Sequence, residues 1–236
     1  MKQLLSNLLT IGFFGLFFIL GLLYAASAND IYITQSGATL DLDILQDGEN
    51  NTIGSSTTSS SIIGATTNFD IRQVGDSNVI TFDINGANYT GTWAITGNSN
   101  NIDFNCDSGG SNSSCASVTA SIIWVGSSND LDIDVGETAD ATGANITISG
   151  ASGSDSNVVA ATIDGTSVIF TLNVNGDTNN FLVDIDGDGD SAGHTYIHNH
   201  TGSIADVDIT QSGIYDNMIT LTTSGDNHNI DIIQRD

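Results

Sequence analysis

The sequence predicts an all-β protein, a β-solenoid of stacked strand-arc-strand repeats with about 22 residues per turn, 11-residue half-repeats and inserted loops. Three observations carry this. Apolar residues fall at every second place in short runs such as Ile80, Phe82 and Ile84, then Leu131, Ile133 and Val135, then Phe181, Val183 and Ile185, the period of a strand with one buried face. Glycines recur eleven residues apart, from Gly37 to Gly48, from Gly75 through Gly86 to Gly97, from Gly176 to Gly187 and from Gly202 to Gly213, a fixed step that signals stacked units. An asparagine stands three residues after several arc glycines, as in Gly75 to Asn78, Gly126 to Asn129 and Gly176 to Asn179, just before the apolar run begins. Gly and Asn both tolerate left-handed backbone at a tight bend. One such unit cannot bury its apolar face alone, but copies stacked ~4.8 Å apart pair with each other and close a continuous core.

The elements follow in chain order. Residues 1–28 carry Lys2, an apolar run from Leu4 to Tyr24 and the small-residue exit Ala26-Ser27-Ala28, the pattern of a secretory signal peptide. A run of that length can also stay as a membrane anchor; the polar Asn29-Asp30 directly after the exit favours cleavage, so the mature chain is expected to begin near Asn29 and to be exported. Residues 29–236 are expected to form one solenoid domain of about seven to nine rungs, with strand pattern from Ile31 onward. Three stretches fit the period badly and are expected as loops thrown out from the arcs: 50–68, which is rich in Ser and Thr, about 105–121, and 187–203. Cys106 and Cys115 bracket the middle loop, and in an exported chain they are expected to form a local disulfide that pins it.

Without the leader, Arg72 and Arg235 face 28 acidic residues, a net charge of 2 − 28 = −26. Nucleic acid and anionic lipid are poor partners for such a surface. Glu49 and Glu137 are the only glutamates and there is no proline. A disordered acidic tail would lack the regularly placed Ile, Val, Leu and Phe.

At Gln46-Asp47-Gly48-Glu49-Asn50-Asn51 followed by Ile53, and at Gln73-Val74-Gly75-Asp76-Ser77-Asn78 followed by Ile80 and Phe82, the chain resembles the Q-x-G-x-x-N-x-Φ-x-Φ core of curlin repeats. Ile33-Thr34-Gln35-Ser36-Gly37, its recurrence as Ile209-Thr210-Gln211-Ser212-Gly213, and Gln234 near the end look like parts of the same motif. Curlins are exported bacterial subunits that fold as β-solenoids and join end to end into functional amyloid fibres of the biofilm matrix. The resemblance implies that role, a nucleator subunit and an outer-membrane secretion apparatus as partners, and inward amide ladders made by Gln46, Asn51, Gln73 and Asn78. The chain departs from the family where Ile95, Trp124, Val174 and Thr223 stand in the glutamine place.

Other chemistry is weighed on the same residues. Asp184, Asp186, Asp188 and Asp190 alternate as in a calcium loop, but an EF-hand-type loop from Asp184 needs a bidentate Glu where Thr195 stands, so they form a loose calcium candidate or an acidic arc. His194, His198 and His200 read as a solvated loop; His198 and His200 would share a face if extended, as transition-metal ligands can. Trp93 and Trp124 read as core residues before a sugar platform. An enzyme is disfavoured, since the mature chain has no lysine, no G-x-S-x-G stretch, and aspartates too common for any pair to be informative. Two functions stay open: a homopolymer subunit that docks head to tail through Ile33, Gln35 and Gly37 at one end and Ile209, Gln211, Gly213 and Gln234 at the other, or a monomeric, calcium-stabilised extracellular adhesin. Outward aspartates such as Asp41, Asp43, Asp132, Asp184, Asp208 and Asp231 should repel on stacking, which predicts faster assembly in acid or with calcium.

Overall fold

In the computed structural model the described residues are 29–235 apart from 49, 56, 58, 76, 107–115, 137–142, 152, 188–193 and 214–216, and the side chains of 86 and 87. They form sixteen strands. The first eight are β1 (Asp30–Ile31), β2 (Thr34–Asp47), β3 (Thr52–Ile53), β4 (Ser60–Val74), β5 (Val79–Thr96), β6 (Asn101–Cys106), β7 (Ser117–Val125) and β8 (Asp130–Val135). The rest are β9 (Gly143–Gly150), β10 (Val158–Asp164), β11 (Val168–Asn175), β12 (Asn179–Asp186), β13 (Thr195–Thr201), β14 (Ala205–Ser212), β15 (Met218–Ser224) and β16 (Asn229–Arg235). Every pairing between them is parallel, and β5 turns the corner without a break, so one 16-stranded sheet wraps round a single core. This is the β-solenoid. One face stacks β1, β3, the first parts of β2, β4 and β5, and then β6, β8, β10, β12, β14 and β16; the other stacks the later parts of β2, β4 and β5, and then β7, β9, β11, β13 and β15.

Alternation builds the core. On the first face Ile31, Ile53, Ile80, Ile102, Leu131, Val159, Phe181, Val207 and Ile230 lie in one register column. On the second, Ile44, Ile71, Trp93, Ile122, Ile148, Leu172, His198 and Leu221 do the same. Trp93 and Trp124 are buried core residues, as expected. Trp124 occupies so much of the interior that a Cβ on Gly150, its neighbour one rung on, would meet the indole ring at 2.7 Å.

The arcs that return from the second face to the first share one geometry. The residue before the arc asparagine takes a left-handed conformation in Asn50, Ser77, Ser99, Ser128, Ser156 and Thr178, at φ from 54° to 60°. Glycine opens most arcs because rungs touch there: a Cβ on Gly202 would collide with the Gly176 carbonyl below it. Ile204 holds the same left-handed place at φ 59°, where a β-branched side chain is strained. It is exposed, so its side chain gains little from burial. Ile204→Asn, matching Asn50 and Asn227 in equivalent arcs, is expected to stabilise by about 1 kcal/mol and to raise the thermal midpoint by about 2–4 °C; a lower midpoint by calorimetry would refute the strain.

Two expectations need correction. The turn is not uniformly 22 residues: the arc asparagines advance by 22, 27, 22, 29, 28 and 22, and the turns average roughly 26 residues apart. Each of the three supposed loops also contains strand in its described part, while 107–115 and 188–193 lie outside the described residues. Residues 50–68 contain β3 and the start of β4, 105–121 contain the start of β7, and 187–203 contain β13. Polar side chains point inward there, such as buried Ser60, Thr67, His194, His198 and His200, which hides the apolar period. The rungs on either side supply the backbone partners that local pattern does not.

Candidate functional site: polar ladders and two ends

Seven asparagines, one per arc, form a continuous ladder through the stack. Asn29 Nδ2 donates to Asn51 Oδ1 (3.2 Å), the Asn51 backbone N–H donates to Asn78 Oδ1 (3.2 Å), and the Nδ2 groups of Asn78, Asn100, Asn129 and Asn157 donate in turn to the Oδ1 atoms of Asn100 (3.0 Å), Asn129 (2.7 Å), Asn157 (2.9 Å) and Asn179 (3.0 Å). From Asn51 onward Nδ2 of each also ties its own arc, as from Asn129 to the Gly126 carbonyl (2.9 Å). The ladder therefore has a polarity: every side chain donates toward the next rung. Buried amides satisfied on both sides specify register and leave no costly orphan. Asn29, Asn100, Asn129, Asn157 and Asn179 are ladder members that the curlin motif did not single out, although Gly97-Asn98-Ser99-Asn100 carries the same spacing.

The glutamines make shorter ladders of opposite polarity. Gln73 Nε2 donates to Gln46 Oε1 (2.6 Å), and Gln46 Nε2 donates to the Asn29 carbonyl (2.6 Å). Gln234 Nε2 donates to Gln211 Oε1 (3.2 Å). Gln46, Asn51, Gln73 and Asn78 are all buried.

The asparagine ladder stops at Asn179, because Ala205 holds the next arc place, in register with Asn179. His200 fills the gap: its Nε2 lies 3.3 Å from Asn179 Nδ2 and 2.8 Å from the Gly176 carbonyl. His198 and His200 are buried inward residues of β13, and His194 is buried just before it, so none of the three lies in a solvated loop. His198 Nδ1 meets the Tyr196 hydroxyl at 3.0 Å and its ring packs on Phe181 at 4.6 Å. Burial pushes the His198 pKa down to about 3, with His200 adding to the shift; the His200 pKa is also lowered, by burial first and by His228. His228 follows in the last arc, 5.3 Å from the His200 ring, with both ring nitrogens lacking a hydrogen-bond partner.

The C-terminal end of the stack is uncovered. Ile230 and Ile232 of β16 continue the columns of Val207 and Ile209, yet are 38 % and 46 % exposed where Val207 and Ile209 are 0 % and 1 %. The recurring Ile209-Thr210-Gln211-Ser212-Gly213 is therefore not the terminal segment. It belongs to β14 and its immediate continuation, with Ile209 and Gln211 covered by Ile232 and Gln234 of β16. Ile33-Thr34-Gln35-Ser36-Gly37 lies in the first rung, and successive pairings place its Thr34 in one column with Thr210.

The aspartates line the outside. Asp103 and Asp132 face each other across β6 and β8; the carboxyl pKa of each is raised, first by partial burial and then by neighbouring aspartates. Burial and Asp186 do the same to Asp184. Asp186 accepts hydrogen bonds from Ser212 Oγ (2.8 Å) and the Gly187 N–H (2.8 Å); Asp188 and Asp190, the other half of the calcium candidate, lie outside the described residues. Among the described residues no group of three or more His, Cys, Asp or Glu side chains is placed to hold a metal ion. Cys106 is buried and disulfide-bonded, while Cys115 lies outside the described residues, as does the leader 1–28.

No family model, no curated protein and no solved structure matches this chain.

Proposed function

We propose that the mature chain is an exported structural subunit that polymerises head to tail into curlin-like extracellular fibres of a biofilm or adhesive matrix, aided by a nucleating subunit and a secretion apparatus. The observation that carries this reading is the uncovered end rung: every described residue of β16 is exposed, including the two isoleucines that continue buried core columns. A parallel strand with free N–H and C=O groups and an apolar inward row is a template for another strand. Solenoids that stay monomeric cover such ends with a polar cap. No catalytic role is proposed, and calcium enters only as a cation that could screen or bridge the acidic faces.

The test is incubation of purified residues 29–236, followed by negative-stain microscopy and fibre diffraction. Unbranched fibres with a reflection near ~4.8 Å along the axis are expected. A species that remains monomeric by analytical ultracentrifugation over days, with and without fibre seeds, would reject the reading in favour of a monomeric adhesin.

A further inference from the structure

The polymer reading says that ends meet, not how. On that reading, and with residues 1–28 removed as the sequence predicts, we infer that the junction has one register: segment 29–36 of one copy stacks on β16 of another, in parallel, and the later part of its β2 stacks on β15. The internal pairings fix the match. Following the column Asp30, Thr52, Val79, Asn101, Asp130, Val158, Asn180, Asp206 and Asn229 from rung to rung places Ile31 over Ile230, Ile33 over Ile232 and Gln35 over Gln234. On the other face Ile44 falls over Leu221. Apolar inward places meet apolar ones, and glutamine meets glutamine.

Both polar ladders continue through this junction with their direction kept. Gln234 donates to Gln211 one rung earlier, so Gln35 of the incoming copy donates to Gln234 Oε1 in the same sense. The asparagine ladder runs the other way. Asn29 Nδ2 is turned toward Asn51, which makes Asn29 Oδ1 the acceptor for a rung preceding it. The arc place that precedes it in the fibre is held by His228, whose ring nitrogens have no partner within the molecule. Both nitrogens are buried at the free end, so on docking the imidazole turns to bring one N–H to Asn29 Oδ1 and restores the ladder across the joint.

The outward faces agree with this. Tyr32 lands over Asp231, Ser36 over Arg235, Asp41 over Met218 and Asp43 over Thr220, so none of these junction columns sets like charge on like charge. A two-fold contact between identical ends would make antiparallel pairs, breaking the ladder polarity.

Cysteine pairs test the register. Tyr32→Cys with Asp231→Cys puts two outward thiols in adjacent parallel rungs of different copies, within disulfide reach, whereas Thr34→Cys with Asp231→Cys is offset by two residues and out of reach. Oxidised fibres of the first variant should run as a ladder of covalent multimers on a non-reducing gel, and fibres of the second should not. Fibres that grow without multimers from the first pair, or with them from the offset pair, overturn the register and leave the polymer reading standing; absence of fibres from the unmodified chain overturns both. A mutant cycle gives an independent reading. Asn29→Ala and His228→Ala should each slow elongation about tenfold, and the double variant no further than either single one; fully multiplied effects overturn the joint.

Discussion

Asn129→Ala is expected to lower the stability of the solenoid by about 3–5 kcal/mol, the largest effect of any single arc substitution. The change removes the bonds from Asn129 Nδ2 to Asn157 Oδ1 (2.9 Å) and to the Gly126 carbonyl (2.9 Å), and deprives the Asn100 side chain and backbone N–H of their acceptor (2.7 and 3.3 Å). The orphaned backbone groups are buried between rungs and out of reach of water, which makes the loss exceed that of ordinary exposed hydrogen bonds. Because each rung touches only its neighbours, the break should also uncouple the two halves of the stack and split one unfolding transition into two. Asn29→Ala, at the exposed first rung with a single ladder bond, is the control and should cost about 1 kcal/mol or less. Denaturant titration of the monomer checks both. Equal effects at the two positions would show that the ladder contributes nothing beyond local arc geometry.

Acid is expected to loosen the C-terminal rungs before it affects the rest. His198 is held neutral by burial, with Phe181, Tyr196 and His200 around it and Leu172 and Leu221 as its column neighbours on β11 and β15. His200 faces His228, Asp177 and the Gly176 carbonyl. Both folded pKa values lie below the ordinary histidine value, so the unfolded rungs bind more protons: this stability is present above about pH 6.5 and is lost as pH falls below it, for His198 by about 1.4 kcal/mol per pH unit, with His200 acting in the same direction. The raised pKa values of Asp103, Asp132 and Asp184 act with the opposite sign, since their stability is present at low pH and is lost as pH rises through the folded values. His198 and His200 lie within β13 itself, so they set the local response of that strand. Hydrogen exchange in 195–201 should therefore accelerate over that range while the asparagine-ladder rungs stay protected, and His198→Leu should flatten the response. Protection that rises steadily on acidification would return control to the aspartates. Faster assembly in acid, expected from the aspartates alone, thus meets a weakened docking end.

Much of the fold was legible in the sequence. Period-two runs such as Leu131-Asp132-Ile133-Asp134-Val135 declare an inward and an outward face by themselves, and the Gly-x-x-Asn arcs declare the left-handed bend that reverses direction. Ser/Thr-rich β4 and histidine-rich β13 were not legible, because inward Ser60, Thr67, His194, His198 and His200 look like solvent-facing residues in one dimension. The end unit was misread for a related reason. Ile209 to Gly213 repeats Ile33 to Gly37, but repetition in a solenoid marks a shared column and not a shared end.

The sequence by itself determined that this chain makes parallel rungs with aspartate outside and branched apolar residues inside, since alternation and turn chemistry act over a few neighbouring residues. Only the tertiary structure decided that Asn29, Asn51, Asn78, Asn100, Asn129, Asn157 and Asn179 join into one directed ladder, that Ala205 ends it and His200 fills the gap, and that β16 is the uncovered rung. Those facts depend on partners 21 to 29 residues apart, brought together only when the rungs stack, so a polar side chain's inward position is set by the rungs above and below it and not by its sequence neighbours.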